Sequence, residues 1–599
     1  MIRSVLCFFV FACLALFLNS DYSYALKTDF HGHLKSNYVL RDTNGFQNKF
    51  MDSVTCSQWL TELKFDLTVR PEDVSFAGFK LRKIFLTYRG AYDAVFDVTD
   101  RWDNVRDKSP SDFELGKDDL KVENDLREAF VDFTTRFGSQ QSIAVRLGRQ
   151  IVQWGEADGF NVVNIVNPQD NRNKMFFDNP EDLATPLWMG RFDYSSGMVG
   201  PFNSIDLQFV LIPDIRPHQF APLDQSSTDP NDNCNAPYAF GFKYVKDWGI
   251  PALTEFAEPL LKLHNILPPD SQIIGIINEI GIENGISVND GSNIHMSVAP
   301  QIAELLGGEY AATPPIEIKE RVPSSNIDNM EYGGKLRVAI ADSEFTFYYL
   351  RSYADDAGID LSRGFTESAL YLDHPKQDMY GFSFNTYVSS INAVIRGEAN
   401  IVSKVPFYDT ADPFTELFYG TLPEELFGPA IVIFQNLEFG LDPSMKGYTM
   451  HRVYQSLLGF DKSFWLRFLN PRNMINASLQ AYWKHIDDWE YDPVHRPWDQ
   501  EDNYRFTGLF YTHYNSGRIF PQLFVMYDTE DAWMTSFSVK YTRDGKWFYK
   551  LGLMAFWGEE PNGDGSSGNR YSKNAVGAFT APVNLMKTSE LSFTVGYNW

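Results

Sequence analysis

Beyond Leu18 this sequence has no unbroken apolar run of the roughly 18–20 residues that a membrane-spanning helix needs, which excludes a helical membrane bundle. Cations are scarce: 52 Lys and Arg stand against 78 Asp and Glu, a net charge of −26. That balance argues against a nucleic-acid partner, which needs a basic stripe, and against a polybasic patch for anionic headgroups. Cysteine is nearly absent. Of four residues, Cys7 and Cys13 fall in an apolar leader, leaving Cys56 and Cys234 far apart. An oxidising compartment permits a bridge between these two, and a pair of free thiols is the alternative. Also missing are a Gly-x-Ser-x-Gly elbow, a His-Glu-x-x-His and a Cys-x-x-Cys. No hydrolase or metal site is therefore expected, and with it no catalytic residue, no metal and no cofactor.

What is there begins with the leader. Arg3 supplies a short positive segment, Val5 to Leu18 is almost wholly apolar, and Ser23-Tyr24-Ala25 fits small-x-small cleavage. Residues 1–25 read as a secretory signal peptide and residues 26–599 as the mature chain. A lipoprotein signal at Cys13 fails, because Phe11 is not small and the apolar run continues past Cys13.

Aromatics make up 15% of the chain, yet the mean hydropathy is −0.28. A β-barrel in a membrane reconciles the two, since each strand turns one face to lipid and the other to water. The C-terminus shows this pattern: Leu591, Phe593, Val595, Tyr597 and Trp599 alternate with Glu590, Ser592, Thr594, Gly596 and Asn598. The same alternation recurs from Phe30 to Leu40, Trp59 to Leu67, Ile84 to Tyr92, Ile205 to Leu211, Tyr332 to Ile340, Tyr380 to Val388, Ala477 to Trp483 and Trp547 to Trp557. Trp547 and Trp557 put aromatics at both ends of one strand, as interfacial girdles require.

Connections alternate between short and long. Arg70 to Asp73, Arg136 to Ser139, Ala341 to Ser343 and Arg543 to Lys546 are short; Val98 to Asp125, Gly155 to Glu181 and Gly558 to Thr588 are long. Short periplasmic turns and long outer loops are the mark of an outer-membrane barrel. The fold expected is all-β, a transmembrane antiparallel barrel of about 16–18 strands with long outer loops. One insertion, residues 213–325, is not strand-like: Leu253, Phe256, Leu260, Leu263 and Ile266 have helical spacing, and an apolar stretch Ile273 to Ile280 follows. It is expected to be a loop, plug or cap. Pro406 to Met450, with an apolar Gly428 to Gly440, is a smaller case.

Two stretches carry a specific likeness. Leu147-Gly148-Arg149-Gln150-Ile151-Val152-Gln153-Trp154-Gly155-Glu156 is followed by Asn167-Pro168-Gln169-Asp170. Met379-Tyr380-Gly381-Phe382-Ser383-Phe384-Asn385-Thr386 is followed by Arg396-Gly397-Glu398. With Leu126-Arg127-Glu128-Ala129-Phe130 and Glu331-Tyr332-Gly333, these resemble the domain-of-unknown-function 1302 family of outer-membrane barrels. The resemblance implies a transport-related barrel, working beside a periplasmic carrier or an inner-membrane exporter, and supplies no catalytic residue and no solute. A terminal aromatic such as Trp599 also resembles the signal read by barrel-assembly machinery.

By parity the lumen wall holds Glu62, Lys64, Asp66, Glu128, Asp132, Arg146, Asp206, Lys335, Arg337, Arg396, Glu398, Arg505, Lys540 and Lys550. Each would cost roughly 2–4 kcal/mol against mid-membrane hydrocarbon, so a hydrated interior suits them. Arg149 falls on the lipid-facing side and is expected to snorkel at the membrane edge or turn inward. Arg149, Gln150, Trp154 and Glu156 are expected to form a rim cluster, with Trp154 and Glu156 at the outer mouth. His31 and His33 share the inner face and read as polar lumen residues, since no third metal ligand is visible. The acidic loops Asp487–Glu490, Asp499–Asp502 and Asn562–Gly565 read as solvated. The function expected is a porin-like channel or transporter for polar or amphiphilic, even lipid-like, solutes, set among outer-membrane lipid and lipopolysaccharide. A scaffold or adhesion protein with a plugged lumen, and the outer-membrane component of a lipid export system, are the alternatives.

Overall fold

The computed structural model describes residues 26–42, 54–72, 74–76, 78–98, 120–138, 140–157, 159–171, 180–220, 317–360, 369–408, 448–489, 501–529, 532–558 and 589–599. Among the described residues, eighteen long strands run up and down in chain order. They are β1 (Leu26–Asp42), β2 (Val54–Pro71), β3 (Phe79–Asp93), β4 (Val122–Phe137), β5 (Gln141–Gln150) and β6 (Leu187–Ser195). Next come β7 (Ser204–Ile212), β8 (Glu331–Ile340), β9 (Ser343–Tyr353), β10 (Lys376–Val388), β11 (Ala393–Tyr408) and β12 (Tyr448–Phe464). The last six are β13 (Ile475–Ile486), β14 (Asp502–Tyr511), β15 (Ile519–Asp528), β16 (Ala532–Thr542), β17 (Trp547–Gly558) and β18 (Glu590–Asn598). Each pairs antiparallel with the next, and β1 pairs with β18 from His33↔Asn598 to Arg41↔Glu590, which closes the ring. β7 and β8 are also adjacent, Ile212 standing opposite Glu331, so the long insertion leaves the ladder unbroken. No helix of the described residues is long and apolar enough to cross a membrane; the crossing is made by strands.

The alternation read from sequence sorts the side chains. Phe30, Leu34, Trp59, Leu63, Phe209, Tyr332, Tyr380, Leu479, Leu551 and Phe593 are exposed on the outer wall, while Glu62, Arg396, Glu398 and Arg505 are buried inside. Aromatic pairs mark both ends, Trp547 with Tyr597 at 5.0 Å and Tyr527 with Trp533 at 4.4 Å between ring centroids. Ile84 departs from the pattern: it is buried with Val69, Leu81 and Val131, against the turn residue Val74.

The turns at the N-terminal end of the barrel are short, with β8 and β9 joined by 341–342 and β16 and β17 by 543–546. That end is periplasmic. At the other end the two feet of the insertion meet, where the Ile215 N–H donates to Ser325 Oγ at 3.2 Å. Three short strands, Glu317–Arg321, Gly358–Asp360 and Ala369–Asp373, form a small separate sheet of the outer loops. The helical pattern of Leu253 to Ile266, the stretches Ile273 to Ile280 and Gly428 to Gly440, the signal peptide, Cys234 and the loop at Asn562 lie outside the described residues. Cys56 is a free thiol that donates to the Gln58 carbonyl.

The closing seam depends on one small residue. The Trp599 N–H donates to the Gly32 carbonyl at 3.1 Å, and the indole lies where a Gly32 Cβ would sit, 2.5 Å away. Across the same seam Thr594 Oγ1 donates to Asn37 Oδ1 at 2.8 Å. Gly32→Val should therefore displace the terminal indole and destabilise the barrel by about 1–3 kcal/mol. The expected outcome is a lower urea midpoint in vesicles, read from the heat-modifiable mobility of the folded band.

Candidate functional site

At Gln150 the chain leaves β5 and turns into the lumen instead of outward. The reason is composition: Val152, Trp154, Val162, Val163 and Val166 are apolar residues in a connecting segment, and all five are buried. They pack against inward-facing Leu187 and Met189 of β6, Val210 and Ile212 of β7, Leu350 of β9, Met379 of β10, Val402 of β11, Leu457 of β12 and Tyr482 of β13. Burying each such side chain contributes roughly 1.5–3 kcal/mol. Phe160 extends the contact by stacking on Tyr482, with centroids 4.6 Å apart and planes 3° from parallel. The result is a strap, residues 151–157 and 159–170, seated on an apolar core inside the barrel.

A segment outside the ladder must find partners for its own backbone groups. The wall supplies them. Tyr348 Oη donates to the Trp154 carbonyl at 3.0 Å, and Trp154 Nε1 donates to Gln208 Oε1 at 2.8 Å. The Glu156 N–H donates to Glu398 Oε1 at 2.6 Å, Arg396 donates to the Glu156 carbonyl, and Asn400 donates to the Val162 carbonyl. Asn385 Nδ2 donates to the Glu156 carboxylate at 2.7 Å. Within the strap, Asn167 Oδ1 accepts from the Val152 N–H at 2.8 Å and Asn164 Oδ1 from the Trp154 N–H at 3.1 Å. Two wall glycines let the strap approach. A Cβ at Gly381 would meet the Val163 side chain at 2.9 Å, and one at Gly333 would meet the Trp154 ring at 3.0 Å.

The outer leg is pinned separately. Gln169 and Asp170 run beside Gln219, and the Gln169 N–H donates to His218 Nδ1 at 2.8 Å. Burial pushes the His218 pKa below the ordinary imidazole value, so the ring stays neutral and Nδ1 remains free to accept.

These contacts correct one expectation and refine others. Trp154 and Glu156 are not at the outer mouth; they are drawn down to mid-lumen by the apolar core and by Gln208, Tyr348 and Asn385. Arg149, expected at the membrane edge or turned inward, is tied down at the end of its strand. Its guanidinium is taken by Asp125 at 2.7 Å and by the carbonyls of Leu126 and Pro186. Gln150 is fully buried and donates to the Met189 carbonyl at 3.2 Å. The charged wall residues face inward in pairs: Arg146 with Asp132 at 2.6 Å, Arg337 with Asp206 at 2.6 Å and Glu344 at 3.2 Å, and Arg396 with Asp461 at 2.9 Å. Lys335 is the exception in this group, with no carboxylate within ion-pair distance among the described residues. His33 meets Glu62 at 2.8 Å. At the outer rim His485, Glu501 and Asp502 bring ligand atoms within 4.8 Å of one another, and Asp502 already accepts from Trp483 Nε1.

Sequence reasoning passed over Asn400, Gln208 and Tyr348, ordinary strand residues with no local signal. It also passed over Val162-Val163, whose apolar character inside a supposed outer loop was the available clue. Glu398→Ala removes the acceptor for the Glu156 N–H, a loss of about 1–3 kcal/mol. Hydrogen exchange of the 152–166 amides should then speed up about ten- to a hundred-fold, while β14–β18 keep their protection; mass spectrometry of peptides reads both.

A family model described as "Protein of unknown function (DUF1302)" matches residues 75–599. No curated protein matches the sequence. Among solved structures, OccAB1 of Acinetobacter baumannii is 8% identical with a TM-score of 0.39, covering 96% of each chain. OccK8 (OprE) of Pseudomonas aeruginosa is 8% identical with a TM-score of 0.38, covering 96% of this chain and 98% of that one. OccK2 (OpdF) of Pseudomonas aeruginosa, solved in complex with glucuronate, is 6% identical with a TM-score of 0.39 over the same shares.

Proposed function

The chain belongs to the DUF1302 family, and we propose that it is an outer-membrane passage for polar or amphiphilic solutes whose bore is narrowed by the strap. One observation carries this reading: a polar cavity of about 710 Å³ lies between the strap and the wall, lined among others by Gln153, Glu156, Lys335, Arg337, Asn385 and Glu398. Both signs of charge and several amide groups face it, which suits a hydrated solute. The strap's wall partners stand on β4 to β13, so it occupies one side of the ring. On this reading Arg146, Lys335, Arg337, Arg396 and Glu398 set the field of the passage, Trp154 and Glu156 form its narrow point, and Arg149 and Gln150 brace the strap's root. A periplasmic carrier or an inner-membrane exporter would exchange a lipid-like cargo at the periplasmic mouth.

A second reading, a scaffold with a plugged lumen, is favoured by the apolar core that the strap buries inside the barrel. Planar-bilayer recording separates the two. The passage predicts single-channel steps from the full-length protein, and larger steps from an Asn400→Ala/Trp154→Ala variant with its strap undocked. Silence from both proteins would establish the scaffold instead.

Lys335 supplies a charge that no direct ion pair neutralises among the described residues, with the Asp193 and Glu344 carboxylates acting on it from beyond contact distance. Lys335→Glu should shift the zero-current potential in a salt gradient toward cation selectivity, whereas Arg337→Gln, which leaves Asp206 and Glu344 unpaired, should shift it the same way with a loss of stability.

A further inference from the structure

The periplasmic turn between β12 and β13 spans residues 465–474, while β8 and β9 are joined by 341–342 alone. Its length is used to hold apolar side chains out. Phe468 is 87% exposed, and Trp465, Leu469 and Met474 are exposed beside it. The turn is not loose. Asn470, 1% exposed, donates to Thr512 Oγ1 at 2.9 Å and to the His513 carbonyl at 3.0 Å, and its Oδ1 accepts from the N–H groups of Arg472 and Asn473. Asn473 donates to the His513 carbonyl at 2.7 Å, and Tyr514 Oη donates to the Leu469 carbonyl at 3.1 Å. A buried polar hub thus fixes a turn whose apolar side chains, Phe468 above all, stand exposed. Such exposure costs solubility unless another phase receives it.

Charge indicates which phase. Residues 465–474 and the neighbouring turn 512–518 contain Arg467, Arg472 and Arg518 and not one Asp or Glu, in a chain of net charge −26. No carboxylate pairs with these guanidinium groups among the described residues, and Arg467 lies over the Trp465 ring at 5.2 Å. The chain's composition argues against a polybasic patch, but topology gathers these three cations on two adjoining turns. The lipid-facing Leu458 and Leu479 of the same two strands lead down to this lip. Apolar side chains ringed by unpaired guanidinium groups match the acyl boundary and phosphates of an anionic leaflet.

We infer that the lip formed by residues 465–474 and 512–518 binds anionic phospholipid of the periplasmic leaflet, with Phe468 and Leu469 entering the acyl boundary and Arg467, Arg472 and Arg518 holding headgroup phosphates. The inference is independent of whether the lumen conducts.

The test uses the full-length barrel with Cys56→Ser, Cys234→Ser and Phe468→Cys, labelled at the new thiol with a polarity-sensitive nitrobenzoxadiazole dye. The protein is reconstituted in phosphatidylglycerol or phosphatidylcholine vesicles. The expected result is blue-shifted emission, quenched by spin-labelled lipid, stronger in phosphatidylglycerol and weakened by high salt. Adding Arg467→Gln, Arg472→Gln and Arg518→Gln should abolish the difference between the two lipids, with heat-modifiable mobility reporting that the barrel still folds. If that variant fails to fold, the salt titration of the parent decides. Water-like emission in both vesicles, equal response to both lipids, or a shift produced only by an added periplasmic extract would each overturn the inference, the last in favour of a protein partner.

Discussion

In hydrocarbon no water is at hand for a backbone N–H or carbonyl, and each one left without a partner costs several kcal/mol. The whole architecture follows from that constraint. An open sheet would leave two edges unpaired, so β1 must find β18, and the pairing from His33↔Asn598 to Arg41↔Glu590 supplies the last rung of the ladder. Once the ring is closed, side-chain parity has only one arrangement: apolar faces outward and charged faces inward. The insertion between β7 and β8 is tolerated because Ile212 and Glu331 still stand opposite each other.

The strap meets the same constraint by a different route. Its backbone has no neighbouring strand, so side chains of the wall replace the ladder. Arg396, Glu398, Asn400 and Tyr348 each spend a polar group on a strap backbone atom. This explains why two motif stretches 242 residues apart in sequence, ending in Glu156 and Glu398, form one structural unit. Wall glycines serve the same purpose, since Gly333 and Gly381 are where the strap rests on the wall. Residues that look like lumen charges are thus partly a docking surface, and the remaining charges are mostly neutralised in pairs. Lys335 stands apart because it forms no direct ion pair among the described residues, Asp193 and Glu344 acting on it only from a distance.

The two ends of the barrel differ in the company they keep. At the outer end, buried histidine and carboxylate groups tie loops together: His374 bonds Glu320 at 2.7 Å and the Ala354 carbonyl at 2.7 Å. Burial raises the Glu320 pKa, against the pull of His374. At the periplasmic end two adjoining turns, 465–474 and 512–518, carry arginines and no acid, and the first holds exposed aromatics on a rigid frame. A chain with a large acid excess therefore presents a basic, greasy lip to one side of the membrane.

Strands such as Glu590–Asn598 were legible in the sequence because period-2 alternation is a local property that lipid on one side and water on the other impose directly. Turn lengths gave the topology for the same reason, and the lumen-facing identity of Arg146, Lys335, Arg337, Arg396 and Glu398 followed from parity alone. The strap was not legible. Residues 151–170 have no periodicity, and their direction is set by an apolar core drawn from seven strands, β6, β7 and β9 to β13. That is why Trp154 and Glu156 belong at mid-lumen and not at the mouth. Asn400, Gln208 and Asn470 gained their roles only when distant backbone groups arrived beside them. Sequence determined which face each strand shows to lipid, because that depends on neighbours one and two residues away. Tertiary structure decided what fills the barrel, because that depends on which unpaired backbone groups the closed wall could satisfy.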